Sequence, residues 1–189
     1  MNRQIAICFF GYNDNLKYTI KNIDQNIFKP LKDNNLTYDI YVHSYDLKTK
    51  NRSNTYDFNL LNPDFYNITY QSEFLKTNNS LYKKEITDLL CDLNSLKLVT
   101  KMWENRSYQC IIYLRSNLLY HHAISITNIN NVISNSRLND IYIPKWKTEY
   151  KLDEKVGDHK GINDFYAYGT SISMKFYGNR IDYLTDYYN

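Results

Sequence analysis

Two hydrophobic periods alternate along the chain. Ile5–Phe10 is continuously apolar and partly β-branched, and it stops at Gly11, the pattern of a strand buried on both faces. In the next stretch, Asn15–Phe28, Leu16, Ile20, Ile23 and Ile27 recur at spacings of three and four. That is the stripe of an amphipathic helix, closed by Pro30 and the polar residues Lys32–Asn35. Tyr38–His43 is again short, aromatic and β-branched, a second strand. Strand, helix and strand in this order imply a right-handed crossover and a parallel pair.

Thr49–Asn62 is polar and Asn-rich and reads as a loop, and Phe65–Gln71 as a third strand. From Ser80 to Glu104, Leu89, Leu90, Leu93, Leu96, Val99 and Trp103 keep a helical period; the polar run Asp92-Leu93-Asn94-Ser95 either interrupts it or lies within one helix. Cys110–Leu114 is a buried strand, and Ile141–Ile143 is another, ended by Pro144. Lys145–Lys160 is charged and irregular, with Gly157 and Gly161 as punctuation. Ala167–Ile172 reads as a final strand and Lys175–Tyr188 as a Tyr-dense helix. No repeat and no Pro/Gly/Ser linker divides the chain. The alternation predicts one three-layer α/β domain over 1–189, either the whole protein or the N-terminal part of a longer chain, with a mostly parallel, Rossmann-like central sheet. In such sheets ligands bind outside the carboxyl ends of the strands.

Composition narrows this further. A chain of 189 residues suits one domain and buries roughly 70% of its unfolded surface. At 43% hydrophobic, with Tyr 20 and Phe 8, it is too apolar to be disordered. The net charge of +3 and the short, acid-interleaved basic pieces Lys48–Arg52 and Lys145–Lys155 speak against a nucleic-acid partner. Cys8, Cys91 and Cys110 are odd in number and lack a CxxC spacing, so neither a disulfide framework nor a zinc site is expected. The opening offers only about six apolar residues before Gly11, too few for a signal peptide or a membrane span. A soluble protein of the cytoplasm (a host cytoplasm, were the chain viral) is the expectation.

The strand ends carry the candidate chemistry. Phe10-Gly11-Tyr12-Asn13 has one Gly, not a GxGxxG fingerprint. It is either a tight turn or a close approach of backbone to a base or ribose, with Tyr12 available to stack. His43, ending the second strand in Tyr41-Val42-His43-Ser44-Tyr45-Asp46, is either a hydrogen-bonded structural residue or a ligand contact. After the Cys110–Leu114 strand, Arg115-Ser116-Asn117 is either a turn or a pyrophosphate site, because a guanidinium holds phosphate oxygens bidentately. The segment Gly157–Gly169 gathers glycines, aromatics, Asp158, His159, Asn163 and Asp164 before a strand, and Asp164 is suited to accept a proton or a hydrogen bond from a sugar hydroxyl.

Taken together, Leu114-Arg115-Ser116-Asn117-Leu118, Ile141-Tyr142-Ile143-Pro144, Gly161-Ile162-Asn163-Asp164-Phe165-Tyr166-Ala167-Tyr168-Gly169, and then Met174 and Tyr177, carry a resemblance. Ala6-Ile7-Cys8-Phe9-Phe10-Gly11 and Asp39-Ile40-Tyr41-Val42-His43-Ser44 extend it to the first two strands. The chain resembles a group of small GT-A-fold glycosyltransferases found in large DNA viruses of protists and algae, among others. The resemblance implies a nucleotide-diphosphate sugar (a UDP- or GDP-sugar) across the strand ends, and a glycan, protein or small-molecule acceptor. Donor contacts then fall to Phe10, Gly11, Tyr12, His43, Arg115, Asn117 and Asn163. Ser95 and Lys97 on the long helical zone join them if they reach the sugar or phosphate, and otherwise occupy the helix surface.

The resemblance also implies Mn²⁺ or Mg²⁺ on the diphosphate, held by an Asp-x-Asp-type motif. Here Asn117 stands where the family usually has Asp, and Arg115 would repel a cation while neutralising phosphate itself. An Asn carbonyl can ligate a hard cation but brings no charge, so metal use is expected to be weakened or absent, with Asp158 and His159 late ligands if a metal binds. The active reading makes Asp164 the base and Arg115 with Asn117 the diphosphate site. The alternative is a catalytically inactive protein that binds a nucleotide sugar or glycan.

Overall fold

The computed structural model describes residues 3–12, 15–46, 57–78, 87–135, 139–143 and 166–183. The first strand, β1 (Ile5–Phe10), is followed by α1 (Leu16–Ile23), a π-helical turn (Asp24–Phe28) and α2 (Lys29–Asp33). β2 (Tyr38–Asp46), a 3-10 turn (Asp57–Leu61), β3 (Phe65–Tyr70), α3 (Gln71–Asn78) and α4 (Thr87–Trp103) come next. Then follow β4 (Cys110–Arg115), α5 (Ile126–Ser134), β5 (Ile141–Tyr142), β6 (Tyr166–Gly169), α6 (Ser171–Gly178) and a 3-10 turn (Arg180–Tyr183). The strands form one six-stranded sheet in the order β3-β2-β1-β4-β6-β5. β1 runs parallel to β2 and β4, and β2 parallel to β3, whereas β6 is antiparallel to both β4 and β5.

β1 is wholly buried because both its edges and both its faces are occupied. Ile5, Ile7 and Phe9 point into a core shared with Leu16 and Ile23 of α1 and Ile129 and Val132 of α5. Ala6, Cys8 and Phe10 point the other way, onto Leu96, Val99 and Trp103 of α4 and Met174 and Tyr177 of α6. Helices therefore cover the sheet on both sides, as the strand–helix alternation predicts. Each of these aliphatic side chains contributes about 1.5–3 kcal/mol on full burial. Tyr113 ties the second layer together: its hydroxyl lies 2.6 Å from Thr100 Oγ1 and donates to the Met174 carbonyl at 3.2 Å. Among the described residues, no helix is long and apolar enough to cross a membrane.

Several elements differ from the pattern read off the sequence. The first helix passes Pro30 and ends at Asp33, within the polar Lys32–Asn35 stretch read as its close. It widens into the π turn and resumes, with Pro30 in the first turn of α2, where a missing N–H costs little. The carbonyl that Pro30 leaves without its usual donor, that of Asn26, accepts instead from Ile124 N–H at 2.8 Å. α4 runs unbroken through Asp92–Ser95, because its polar side chains find partners elsewhere in the fold. β6 ends at Gly169, short of Ile172, where Thr170 caps α6 by accepting from Ser173 N–H at 3.4 Å. α6 thus starts before Lys175. α3 and α5 arise where no helix was expected.

Candidate functional site

The strand order runs outward from β1 in both directions, to β2 on one side and β4 on the other, which makes their junction a topological switch point. Phe10 and Arg115 are register partners across that junction. Hence the turn after β1 and the Arg115-Ser116-Asn117 turn after β4 lie side by side at the carboxyl ends.

Gly11 holds the first turn. Its φ of 90° is one that side chains other than hydrogen rarely accept. A Cβ there would lie 3.2 Å from Asp92 Oδ1 and 4.0 Å from Arg115 Nη1. Its N–H donates to Ser95 Oγ at 2.7 Å. Ser95 Oγ is also 2.6 Å from His43 Nδ1, and His43 Nε2 is 3.1 Å from Thr69 Oγ1. This buried relay joins β3, β2, α4 and the turn after β1. Burial pushes the His43 imidazole down to about 4, so it is neutral near pH 7.

Tyr12 is fixed at both ends. Its hydroxyl accepts from Gln71 Nε2 at 2.6 Å, its carbonyl accepts from Ser116 Oγ at 3.2 Å, and its ring lies 6.0 Å from that of Tyr45. Burial, first, and then the neighbouring Cys91 and Asp92 push its hydroxyl well above the usual tyrosine range.

Arg115 ends β4 with its guanidinium carbon 5.5 Å from the centre of the Phe10 ring. One edge is engaged: Nη2 donates to Asp92 Oδ2 at 2.5 Å, and only 11% and 12% of the two side chains is exposed. Its carbonyl accepts from Tyr120 O–H at 2.7 Å, and the Ser116 carbonyl accepts from Thr19 Oγ1 at 2.5 Å. Asn22 and Asn26 of the first helix hold the Tyr120 backbone. The turn bearing Arg115, Ser116 and Asn117 is thereby braced against α1. Asn117 Oδ1 is buried and accepts no hydrogen bond.

The structure brings together Phe10, Gly11, Tyr12, His43, Ser95 and Arg115, and Asn117 follows Arg115 two residues on in the same turn. It does not bring Lys97 to them, since the Lys97 ammonium pairs with Asp182. Ser95 is wholly buried within α4, not on its surface. Asp158, His159, Asn163 and Asp164 lie outside the described residues. Asp92, Thr69 and Gln71 were missed in the sequence. Asp92 carried a signal: it falls on the same helical face as Ser95, Leu96 and Val99, and an acid on an apolar stripe needs a partner.

Among the described residues no group of three or more His, Cys, Asp or Glu could hold a metal ion. Asn117 supplies one uncharged oxygen, the adjacent Arg115 is a cation, and Asp92 already faces that cation. These residues do not by themselves fit Mn²⁺ or Mg²⁺.

Fold and site together define an α/β domain with a mostly parallel sheet, Rossmann-like in its β3-β2-β1-β4 half, and a polar cluster at the switch point. No protein-family model and no curated protein matches the chain.

Proposed function

We propose that the chain is a GT-A-like glycosyltransferase that binds a nucleotide-diphosphate sugar over the carboxyl ends of β1 and β4. The observation that carries the reading is the juxtaposition of the Gly11 turn with Arg115 and Asn117 at the switch point, where an open α/β sheet takes its ligands. In this reading the Arg115 guanidinium donates to the diphosphate and stabilises the leaving group, as fixed donors aimed at developing charge do. Asn117 adds its amide, and Tyr12 borders the base. Asp164 accepts the proton of the attacking hydroxyl.

An inactive nucleotide-sugar or glycan-binding protein is the second reading. Asn117 favours it, because a neutral amide stands where the resembled family carries a carboxylate.

A thermal-shift screen of nucleotide sugars, with and without Mn²⁺ or Mg²⁺, tests the binding half. At a hundredfold excess over Kd, the right donor raises Tm by about 5–10 °C, with little added by either cation. No shift with any nucleotide sugar, cation present or not, sinks the donor site. Donor hydrolysis and transfer by the wild type and Asp164→Ala then test the chemistry. Turnover lost in Asp164→Ala supports the transferase; binding without turnover on any acceptor leaves the inactive reading.

A further inference from the structure

We propose that Asp92 is the positioning residue for Arg115: it orients the guanidinium for a diphosphate and acts through Arg115 without touching the ligand. The inference rests on the donor-site reading above. A free arginine at a strand end samples many rotamers, and binding must pay to fix one. Here the guanidinium is fixed beforehand from several directions. Phe10 lies beneath it at 5.5 Å, and Asp92 holds Nη2 at 2.5 Å from a helix on the same side of the sheet. Nη1 lies on the Gly11 side, 4.0 Å from where a Cβ would stand. The absence of that Cβ lets the ion pair and the turn after β1 close together.

Asp92 is suited to this task and poorly placed for others. It is buried in α4, three residues before Ser95, whose hydroxyl fixes the Gly11 N–H. Successive turns of one helix thus brace the β1 turn and the β4 arginine. A bare charge role would be satisfied by any nearby carboxylate. The Nη2–Oδ2 bond and the Phe10 ring together restrict where the guanidinium points, which a fixed diphosphate contact requires.

The test is a double-mutant cycle on UDP and GDP binding, measured by titration calorimetry on the whole chain. Asp92→Asn keeps size and one acceptor oxygen but removes the charge that grips the guanidinium. In the Arg115 background it should weaken binding of the preferred nucleotide on the order of tenfold; in the Arg115→Gln background the same change should cost less than about twofold. Equal losses in the two backgrounds, or no loss in either, overturn the inference and leave the donor site standing. Absence of binding by the wild type to both nucleotides overturns the donor-site reading and this inference with it. Asp92→Glu, which keeps the charge but moves it by a methylene, replaces Asp92→Asn if that variant does not fold, with the same expectation. A second readout does not depend on weak binding in the Arg115→Gln variants. Guanidinium Nη signals of Arg115 in NMR should be separate in the wild type, where rotation is hindered, and merged in the Asp92 variant. Signals that stay separate overturn the inference.

Discussion

Gly11 illustrates how much one position can decide. Its positive φ, its N–H bond to Ser95 and the missing Cβ beside Asp92 are separate requirements that only glycine meets together. Alanine there would be strained in the backbone and pressed to 3.2 Å from a carboxylate oxygen. Gly11→Ala is expected to cost about 1–3 kcal/mol of stability, read as a lower urea midpoint with an unchanged slope. A midpoint equal to the wild type's would mean the turn is softer than its geometry implies. The same residue changes how the first strand end is understood. A lone glycine there is explained by the approach of a buried ion pair, without invoking a phosphate fingerprint.

At the scale of elements, α5 is the instructive case. Its sequence, Ile126–Ser134, is rich in β-branched residues and Asn, all poor helix formers, so propensity does not announce it. It forms because Ile129 and Val132 reach the core and because Ser125 caps it, accepting from Asn128 N–H at 3.3 Å. Ser125→Ala should therefore remove about 1 kcal/mol, and native-state hydrogen exchange should show the first turn of α5 opening before the rest of the fold. Protection unchanged in that turn would contradict the capping role. The two central strands were legible in the sequence because burial on both faces leaves a continuous apolar run, as in Ile5–Phe10 and Cys110–Leu114. α4's continuity was not, because Asp92, Asn94 and Ser95 resemble a helix break until Arg115, Tyr45 and His43 are seen to receive them. Nor was the passage through Pro30 legible, since its partner carbonyl is satisfied by Ile124, nearly a hundred residues away. Of the candidate site, strand-end logic located Phe10, Gly11, Tyr12, Arg115 and Asn117. The residues that brace them sit inside elements, where no sequence-local rule points.

For the whole molecule, the relay through His43 links pH to global stability. The imidazole is wholly buried among Ser95, Thr69 and the edge-on Tyr45 ring, and its value falls from the ordinary 6.5 to about 4. Between those values the unfolded chain holds the proton and the folded chain does not. Stability is therefore full above pH 6.5 and declines as pH falls towards 4, by about 2 kcal/mol at pH 5. Urea titrations at pH 7 and pH 5 should show that loss in the wild type and a smaller one in His43→Gln, whose side chain does not titrate. Equal losses in both proteins would remove His43 as the source.

The central place of β1 has a consequence for synthesis. Ile5–Phe10 pairs early with β2, but its other edge waits for Cys110–Arg115, more than a hundred residues later. At roughly 5–20 residues per second, translation leaves that strongly apolar strand half-paired for about 3 s or more after β2 is made. The nascent chain thus presents an Ile-Ala-Ile-Cys-Phe-Phe edge to whatever stands at the ribosome exit, and the final fold closes only once the strand bearing Arg115 emerges.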